Sequence, residues 1–309
     1  MRAYCIFDDF SMDALNILQD SGVKVTVHPL GVPRPNGKQM KSILEQHDCV
    51  IIGTSQKITE EMFENIFTPK IIATASVGID HIQVPFEKTS LITIFNTPGA
   101  NAPSVAEYNV GAILMARKRL MEGGFLYAEG FDNKKLVKKP EDVSGIVVGF
   151  VGAGRVSTRT MELLQPFGVS FLCHTDDAPQ RQYMVERFGV RFVPLLELAS
   201  KSDVISVNVP STVATAGLIS ADVVAAMKDT AVFVSIARER VLDLNALFEK
   251  AENNPNFYVI LDLDVLPDCV SRSNRRNIII TPHIAGGTIE SRKRMFLEAA
   301  KQVAEVAKS

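Results

Sequence analysis

Tryptophan is absent from the 309 residues, and cysteine and histidine are scarce, at 4 and 5. The cysteines (Cys5, Cys49, Cys173 and Cys269) are scattered, with neither CxxC nor Cys/His metal spacing. That excludes a disulfide scaffold and a zinc module, and leaves reduced, mostly buried thiols of a cytoplasmic protein with no metal site. An excess of one charge is also missing. Lys plus Arg is 33 and Asp plus Glu is 35, a formal net charge of −2. Such a balance offers no electrostatic footprint for a nucleic-acid backbone or an anionic membrane. No apolar run approaches the ~18 to 20 residues that span a bilayer, and the start, MRAYCIFDDFSMD, is too acidic for a secretory signal. What remains is 46% hydrophobic and 22% charged, the composition of an ordinary globular protein. At roughly 150 residues per domain, the length predicts two domains.

Short runs rich in Val and Ile recur along the chain. In the first hundred residues they are AYCIF, KVTVH, CVIIG, KIIATA and ITIFN. Between them, Met12 to Gln19 and Ile58 to Ile66 place apolar residues three and four apart, as helices do. Buried strands alternating with amphipathic helices predict βαβ units and a parallel sheet, so the class is α/β. A second series begins near Ile146: GIVVGFV, VSFLC, VRFV, DVISVNV, AVFVSIA, FYVILDL and NIIITPH. Two doubly wound lobes accommodate both series. Between them a helix is predicted over Ser104 to Leu120, apolar on most of its circumference. A helix of that kind is buried on several sides, at a domain junction or in a homodimer interface. The charged stretch Asn133 to Glu141 reads as a solvated loop.

The strand Ile146 to Val151 runs into Gly152-Ala153-Gly154-Arg155-Val156-Ser157 and a further helix. A strand, a glycine turn and a helix N-terminus together form a pyrophosphate site. Gly152 permits the tight turn, and Gly154 lets the backbone approach phosphate. The third glycine of the G-x-G-x-x-G fingerprint is here Ser157. Asp176 follows Gly154 by 22 positions, where an acid meets the adenosine ribose. With no Arg after it to hold a 2′-phosphate, NAD is favoured as cofactor and NADP stays open.

Several segments then agree in order. Asn96-Thr97-Pro98-Gly99-Ala100-Asn101-Ala102 with Ser104-Val105-Ala106-Glu107 resembles the domain-crossing signature of the D-isomer-specific 2-hydroxyacid dehydrogenases. SVGID (Ser76 to Asp80) resembles the family's substrate loop, SIARERVLD (Ser235 to Asp243) its arginine motif, and TPHIAGGT (Thr281 to Thr288) its histidine motif. The resemblance spans essentially the whole chain. It implies two Rossmann- or flavodoxin-like lobes with the active site in the cleft. Residues 1–100 plus 287–309 would form the substrate domain and 101–286 the NAD(P)-binding domain, in a homodimer.

The implied reaction is reduction of a small 2-oxo acid to a D-2-hydroxy acid, or its reverse. Arg238 would hold the carboxylate and polarise the ketone, which suits a planar, permanently charged fork. His283 would be the general acid, a role fitted to a side chain that titrates near neutrality. The backbone N–H groups of Val77 and Gly78, with Ser76 and Asn101, would complete the substrate site. The cofactor would be lined by Gly152, Gly154, Arg155, Val156, Thr175, Asp176, Pro210, Ala237 and Asp262.

The sequence departs from the family at three places. The family's Glu-Pro pair, whose acid orients the histidine, is absent from Leu261-Asp262-Leu263-Asp264-Val265-Leu266-Pro267-Asp268-Cys269. Matching the family's Leu-Asp-Val to Asp262 puts Pro267 in the Glu position, and matching it to Asp264 puts Cys269 there. Asp268, one residue off in either frame, is the expected substitute. Arg-Gly-Gly becomes Arg238-Glu239-Arg240. The arginines that hold phosphate in phosphoglycerate-oxidising members are replaced by Gly53 and Thr74, which points to an unphosphorylated substrate. Two alternatives are carried forward: a dinucleotide-sensing binding protein on the same fold, and a reductase of a phosphonate with Arg240 as the extra cation.

Overall fold

The computed structural model describes every residue except 7–11, 30, 129, 131–137, 177–180, 267–275 and 309. By its internal contacts the chain divides into Met1–Asn101 with Thr288–Ser309, and Ala102–Gly287.

In the first unit, β1 (Arg2–Cys5), β2 (Lys24–Val27), β3 (Cys49–Ile52), β4 (Lys70–Thr74) and β5 (Ile92–Phe95) form a parallel sheet in the order β2-β1-β3-β4-β5. Every residue of β3 and β4 is buried, as strands covered on both faces require. Alternate residues serve two cores. Cys49 and Ile51 pack with Leu18 of α1 (Met12–Asp20), while Val50 and Ile52 pack with Met40 and Leu44 of α2 (Gly37–Gln46). Asn36 caps α2 through a reciprocal pair of hydrogen bonds with Gln39. The helix expected over Ile58 to Ile66 is a single 3₁₀ turn, Glu60–Phe63. Ile58 donates to His81 O and accepts from Gln83 N, so its backbone is committed to a bridge and cannot begin a helix.

In the second unit, β6 (Val147–Val151), β7 (Ser170–His174), β8 (Arg191–Phe192), β9 (Val204–Val207), β10 (Val232–Ser235), β11 (Tyr258–Asp262) and β12 (Ile278–Thr281) are all parallel. Their order is β12-β11-β10-β9-β6-β7-β8. The helices are α3 (Ala102–Arg117), α4 (Leu120–Ala128), α5 (Arg155–Leu164), α6 (Arg181–Phe188), α7 (Leu195–Lys201), α8 (Ala221–Ala226) and α9 (Leu244–Asn253). The chain leaves β6 in one direction for β7 and β8, then returns to β9 on the other side. The carboxyl ends of β6 and β9 therefore flank a topological switch point, where open α/β sheets bind ligands.

The long helix expected over Ser104 to Leu120 is interrupted. It ends at Arg117, and Arg119 takes a left-handed φ of 54° before α4 begins. This turn sends the Arg119 side chain inward to Glu122, Tyr258 and Asn256. Within its own unit α3 packs Ala112, Ile113 and Ala116, with Tyr108, Val110, Leu114 and Met115 partly buried against the same core, and buries Asn109 beside Thr160 and Asn208. The last helix, α10 (Ile289–Lys308), packs Phe296, Ala300 and Val303 into the first unit's core.

Cys5, Cys49 and Cys173 are buried free thiols, and burial pushes Cys5 and Cys173 up to about 12. Cys269 lies outside the described residues. Among the described residues no helix is long and apolar enough to cross a membrane, and no cluster of His, Cys, Asp and Glu could hold a metal.

Candidate active site

The glycine turn stands at the switch point of the second unit. Gly152 has φ 98°, and a Cβ there would lie 2.9 Å from Val209 Cγ1 and 3.0 Å from Asn208 O. Only glycine satisfies both constraints. Gly154 is different: it is the N-cap of α5, has no side chain to close the first turn, and a Cβ there would meet nothing within 4 Å. Open space before a helix N-terminus is what a pyrophosphate needs. Ser157, the departure from the fingerprint, is fully buried and donates to Gly152 O at 2.6 Å, tying the turn to the helix. Asn208, at the end of β9, donates in turn to Ser157 Oγ at 3.1 Å. These residues fit a dinucleotide. Thr175 and the exposed Asp176 follow β7, Pro210 follows β9, and Ala237 follows β10, where its N–H donates to Ser235 Oγ at 3.2 Å.

Three neighbouring strands of the same sheet end side by side and supply the chemistry. β12 leads to His283, two residues past its end. β11 leads to Asp264, also two past its end, and β10 leads to Arg238, three past Ser235. Arg238 thus sits in a turn beyond its strand. The middle strand's residue touches both others. One Asp264 oxygen hydrogen-bonds His283 Nδ1, and the other lies 2.8 Å from Arg238 Nη1.

That arrangement assigns protons. An ionised carboxylate only accepts, so His283 Nδ1 carries a hydrogen and donates it to Asp264. Arg238 Nη1, 3.3 Å from the same Nδ1, also only donates, so this approach is a contact and not a hydrogen bond. Arg238 and His283 share Asp264, and Nε2 is the imidazole atom left for exchange with a ligand. All three side chains are part-exposed, at 38%, 52% and 40% for Arg238, Asp264 and His283.

His283 is itself held in an uncommon backbone conformation, φ 50°. Asp262 accounts for it. The register pairs Asp262 with Thr281, and its carboxylate accepts from Thr281 Oγ1 (2.5 Å), Ile284 N (2.9 Å) and Ala285 N (2.9 Å). Because Thr281 donates to Asp262, it accepts from Tyr108 OH at 2.7 Å. Expected at the cofactor, Asp262 thus has both oxygens engaged by the turn that carries His283. Asp264 was not singled out by sequence reasoning. Its only signal is the repeat Leu-Asp-Leu-Asp, and where β11 ends decides between the two acids. Asp268 lies outside the described residues.

In the first unit, Ser76, Val77 and Gly78 follow β4. Ser76 is buried while Val77 is 41% exposed. Ser76 Oγ donates to Gly78 O at 2.7 Å, and Asn96 Nδ2 donates to Val77 O at 2.7 Å. Asn101 closes the unit, just after Ala100, whose carbonyl accepts from Arg294 Nε at 2.8 Å. Thr74 is fully buried, and Glu239 and Arg240 are exposed.

Comparison with known proteins adds to this geometry. Residues 110–285 match the family model described as D-isomer specific 2-hydroxyacid dehydrogenase, NAD binding domain, a span that contains the glycine turn, Arg238, Asp264 and His283. The chain is 29% identical to a hydroxypyruvate reductase of Thermotoga maritima over 270 residues, 86% of each chain. It is 31% identical to a glyoxylate reductase of Thermofilum pendens over 293 residues, 92% of this chain and 85% of the other. Among solved structures, a protein of Thermus thermophilus superposes with a TM-score of 0.78 at 26% identity, covering 97% of this chain and 94% of its own.

Proposed function

Because the chain belongs to the D-isomer specific 2-hydroxyacid dehydrogenase family, we propose that it reduces a small, unphosphorylated 2-oxo acid to the D-2-hydroxy acid, or runs the reverse oxidation. As a member it is an NAD-dependent oxidoreductase acting on 2-hydroxy acids. The observation that carries the finer reading is the shared carboxylate of Asp264 between His283 and Arg238.

In this reading Gly152, Gly154 and the first turn of α5 (Arg155, Val156) receive the pyrophosphate. Asp176 and Thr175 meet the ribose, and Pro210 and Ala237 line the site further along the sheet. NAD supplies or takes up the hydride when bound. Arg238 holds the substrate carboxylate and polarises the 2-oxo group. His283 gives its Nε2 proton to the oxygen as it becomes an alkoxide, while Nδ1–H stays on Asp264 and the carboxylate stabilises the imidazolium. Asp262 and Tyr108 keep the imidazole aimed by fixing its turn. In the substrate domain the backbone N–H groups at 77 and 78, with Asn101, hold the carboxylate, and Ser76 serves through its hydroxyl bond to Gly78 O.

Glyoxylate and hydroxypyruvate lead the substrate candidates. Both names belong to relatives, and Gly53 and Thr74 bring no cation for a phosphate. The sensing alternative draws on the missing Glu-Pro pair and on Arg238-Glu239-Arg240; Asp264 at His283 weighs against the first of these and leaves the second. A homodimer rests on the exposed Leu120, Met121 and Phe125 of α4, and a cytoplasmic location on the buried free thiols.

The test is oxidation of NADH and NADPH against glyoxylate, hydroxypyruvate, pyruvate, 2-oxoglutarate and phosphonopyruvate. Turnover of one of the first two with NADH is expected. Silence across the panel, with NADH binding intact, would return the sensing alternative. Preference for phosphonopyruvate would bring Arg240 into the site.

A further inference from the structure

Three consecutive carbonyls of the loop after β4 are anchored within the first unit. Ser76 O accepts from Thr97 N at 2.8 Å and Thr97 Oγ1 at 3.1 Å. Val77 O accepts from Asn96 Nδ2, and Gly78 O from Ser76 Oγ, each at 2.7 Å. A trans peptide is planar, with its C=O and N–H pointing in opposite directions. Each anchored carbonyl therefore turns the N–H of the next residue away from its anchor, so the directions of the Val77, Gly78 and Ile79 N–H groups are each fixed by one anchor.

The third anchor is a hydroxyl, and hydroxyls can turn. Its direction here follows from counting protons. Ser76 O–H is committed to Gly78 O, so Ser76 Oγ accepts from Thr74 Oγ1, 2.8 Å away. Thr74 has one hydroxyl proton and has given it to Ser76. It therefore accepts from His81 Nε2 at 3.0 Å. The chain runs His81 Nε2–H to Thr74 to Ser76 to Gly78 O, and only an imidazole protonated on Nε2 can begin it. Thr74 is fully buried and Ser76 nearly so, which shuts out water as a substitute donor. His81 is fixed from behind, since its carbonyl accepts from Ile58 N at 2.9 Å. Burial holds His81 below the ordinary histidine range, opposed by the charge of Asp80, in keeping with a neutral ring.

We propose that His81 is a positioning residue for substrate recognition, setting the direction of the Thr74–Ser76 hydroxyl chain that locks the Gly78–Ile79 peptide. This rests on the reading of residues 76–78 as the carboxylate-holding loop. His81 acts through two other side chains and touches no reacting atom. Without its N–H, Thr74 and Ser76 can reverse, Gly78 O loses its anchor, and the Gly78–Ile79 peptide that closes the anion-holding loop is free to turn. The consequence falls on substrate binding and not on the chemical step.

The experiment compares wild type, His81→Leu, His81→Gln and Val77→Pro, using whichever of glyoxylate and hydroxypyruvate the wild type reduces. His81→Leu should raise KM about tenfold while kcat and the Kd for NADH change less than about twofold. Glutamine keeps an N–H donor, so His81→Gln should recover most of the loss. Equal changes in kcat and KM, without recovery by glutamine, would mean a structural role and overturn the proposal. Val77→Pro deletes a loop N–H directly. If it raises KM and His81→Leu does not, the carboxylate loop stands and the hydroxyl chain falls. If Val77→Pro leaves KM unchanged, the loop reading falls and takes the proposal with it. Should the leucine variant not fold, ¹⁵N NMR of the wild-type imidazoles decides. His81 is expected as the Nε2–H tautomer, and a neutral Nδ1–H ring would overturn the chain.

Discussion

Asp264 binds His283 Nδ1 with one carboxylate oxygen and stands 2.8 Å from Arg238 with the other. The contact follows from strand order. β11 lies between β12 and β10, and strands sit about 4.8 Å apart, so a residue just past the end of the middle strand is within reach of both neighbours. In the proposed reaction Asp264→Asn keeps the shape and removes the charge that stabilises the imidazolium. The kcat should fall by about 100-fold or more, the range of a general acid–base contribution, with NADH affinity unchanged. Steady-state rates and a fluorescence titration measure the two quantities. A variant with wild-type kcat would free His283 from any dependence on this acid.

The two glycines of the nucleotide turn should fail in different ways. Gly152→Ala forces φ 98° on a residue with a Cβ, 2.9 Å from Val209 Cγ1, and should cost about 1–3 kcal/mol of stability. Gly154→Ala meets nothing within 4 Å and has φ −79°, so the fold should be unaffected. Its methyl would stand where a pyrophosphate approaches the helix, and NADH affinity should drop. Thermal melts paired with NADH titration separate the two effects.

The turn at Arg119 encloses an ion pair away from the active-site edge. Arg119 Nη1 lies 3.2 Å from Glu122 Oε2, with side chains 6% and 2% exposed, and the guanidinium covers the Tyr258 ring at 4.8 Å. Glu122→Ala would leave a buried, uncompensated guanidinium. Loss of about 3–5 kcal/mol is expected by chemical denaturation, the range for breaking a buried pair from one side. A loss below about 1 kcal/mol would show that water reaches Arg119.

His81 makes stability depend on pH in a defined direction. Burial lowers its affinity for a proton in the folded state, so between its folded pKa and about 6.5 the unfolded chain binds more protons. The associated stability is present above the unfolded value and is lost as pH falls below it. Wild-type Tm should therefore drop more between pH 7.5 and 5.5 than that of His81→Gln. Identical pH dependence in the two proteins would show that His81 is protonated without penalty.

Much of the fold was legible in the residues. The twelve Val- and Ile-rich runs correspond to β1 through β12, most plainly at β3, β4, β9, β10 and β11, where every residue is buried and a strand covered on both faces must be apolar throughout. The glycine turn was legible for a similar reason, since backbone geometry at Gly152 admits no other residue. Helix limits were less accessible. Arg119 ends α3 through partners at Tyr258 and Asn256, about 140 positions away in the chain, and Ile58 leaves the helical pattern to pair with Ile82. Contacts of that separation leave no local periodicity to read.

The sequence by itself determined that the chain is α/β with two parallel sheets, that a dinucleotide turn follows the sixth strand, and that an arginine and a histidine stand in motifs suited to a 2-oxo acid. Tertiary structure decided which acid meets the histidine. Asp262 and Asp264 are two residues apart, so a strand's alternation puts both on one side and cannot choose between them. The pairing of Asp262 with Thr281 makes the choice. It closes β11 at Asp262, ties that carboxylate to the backbone of the histidine turn, and leaves Asp264 beyond the strand, beside His283 and Arg238.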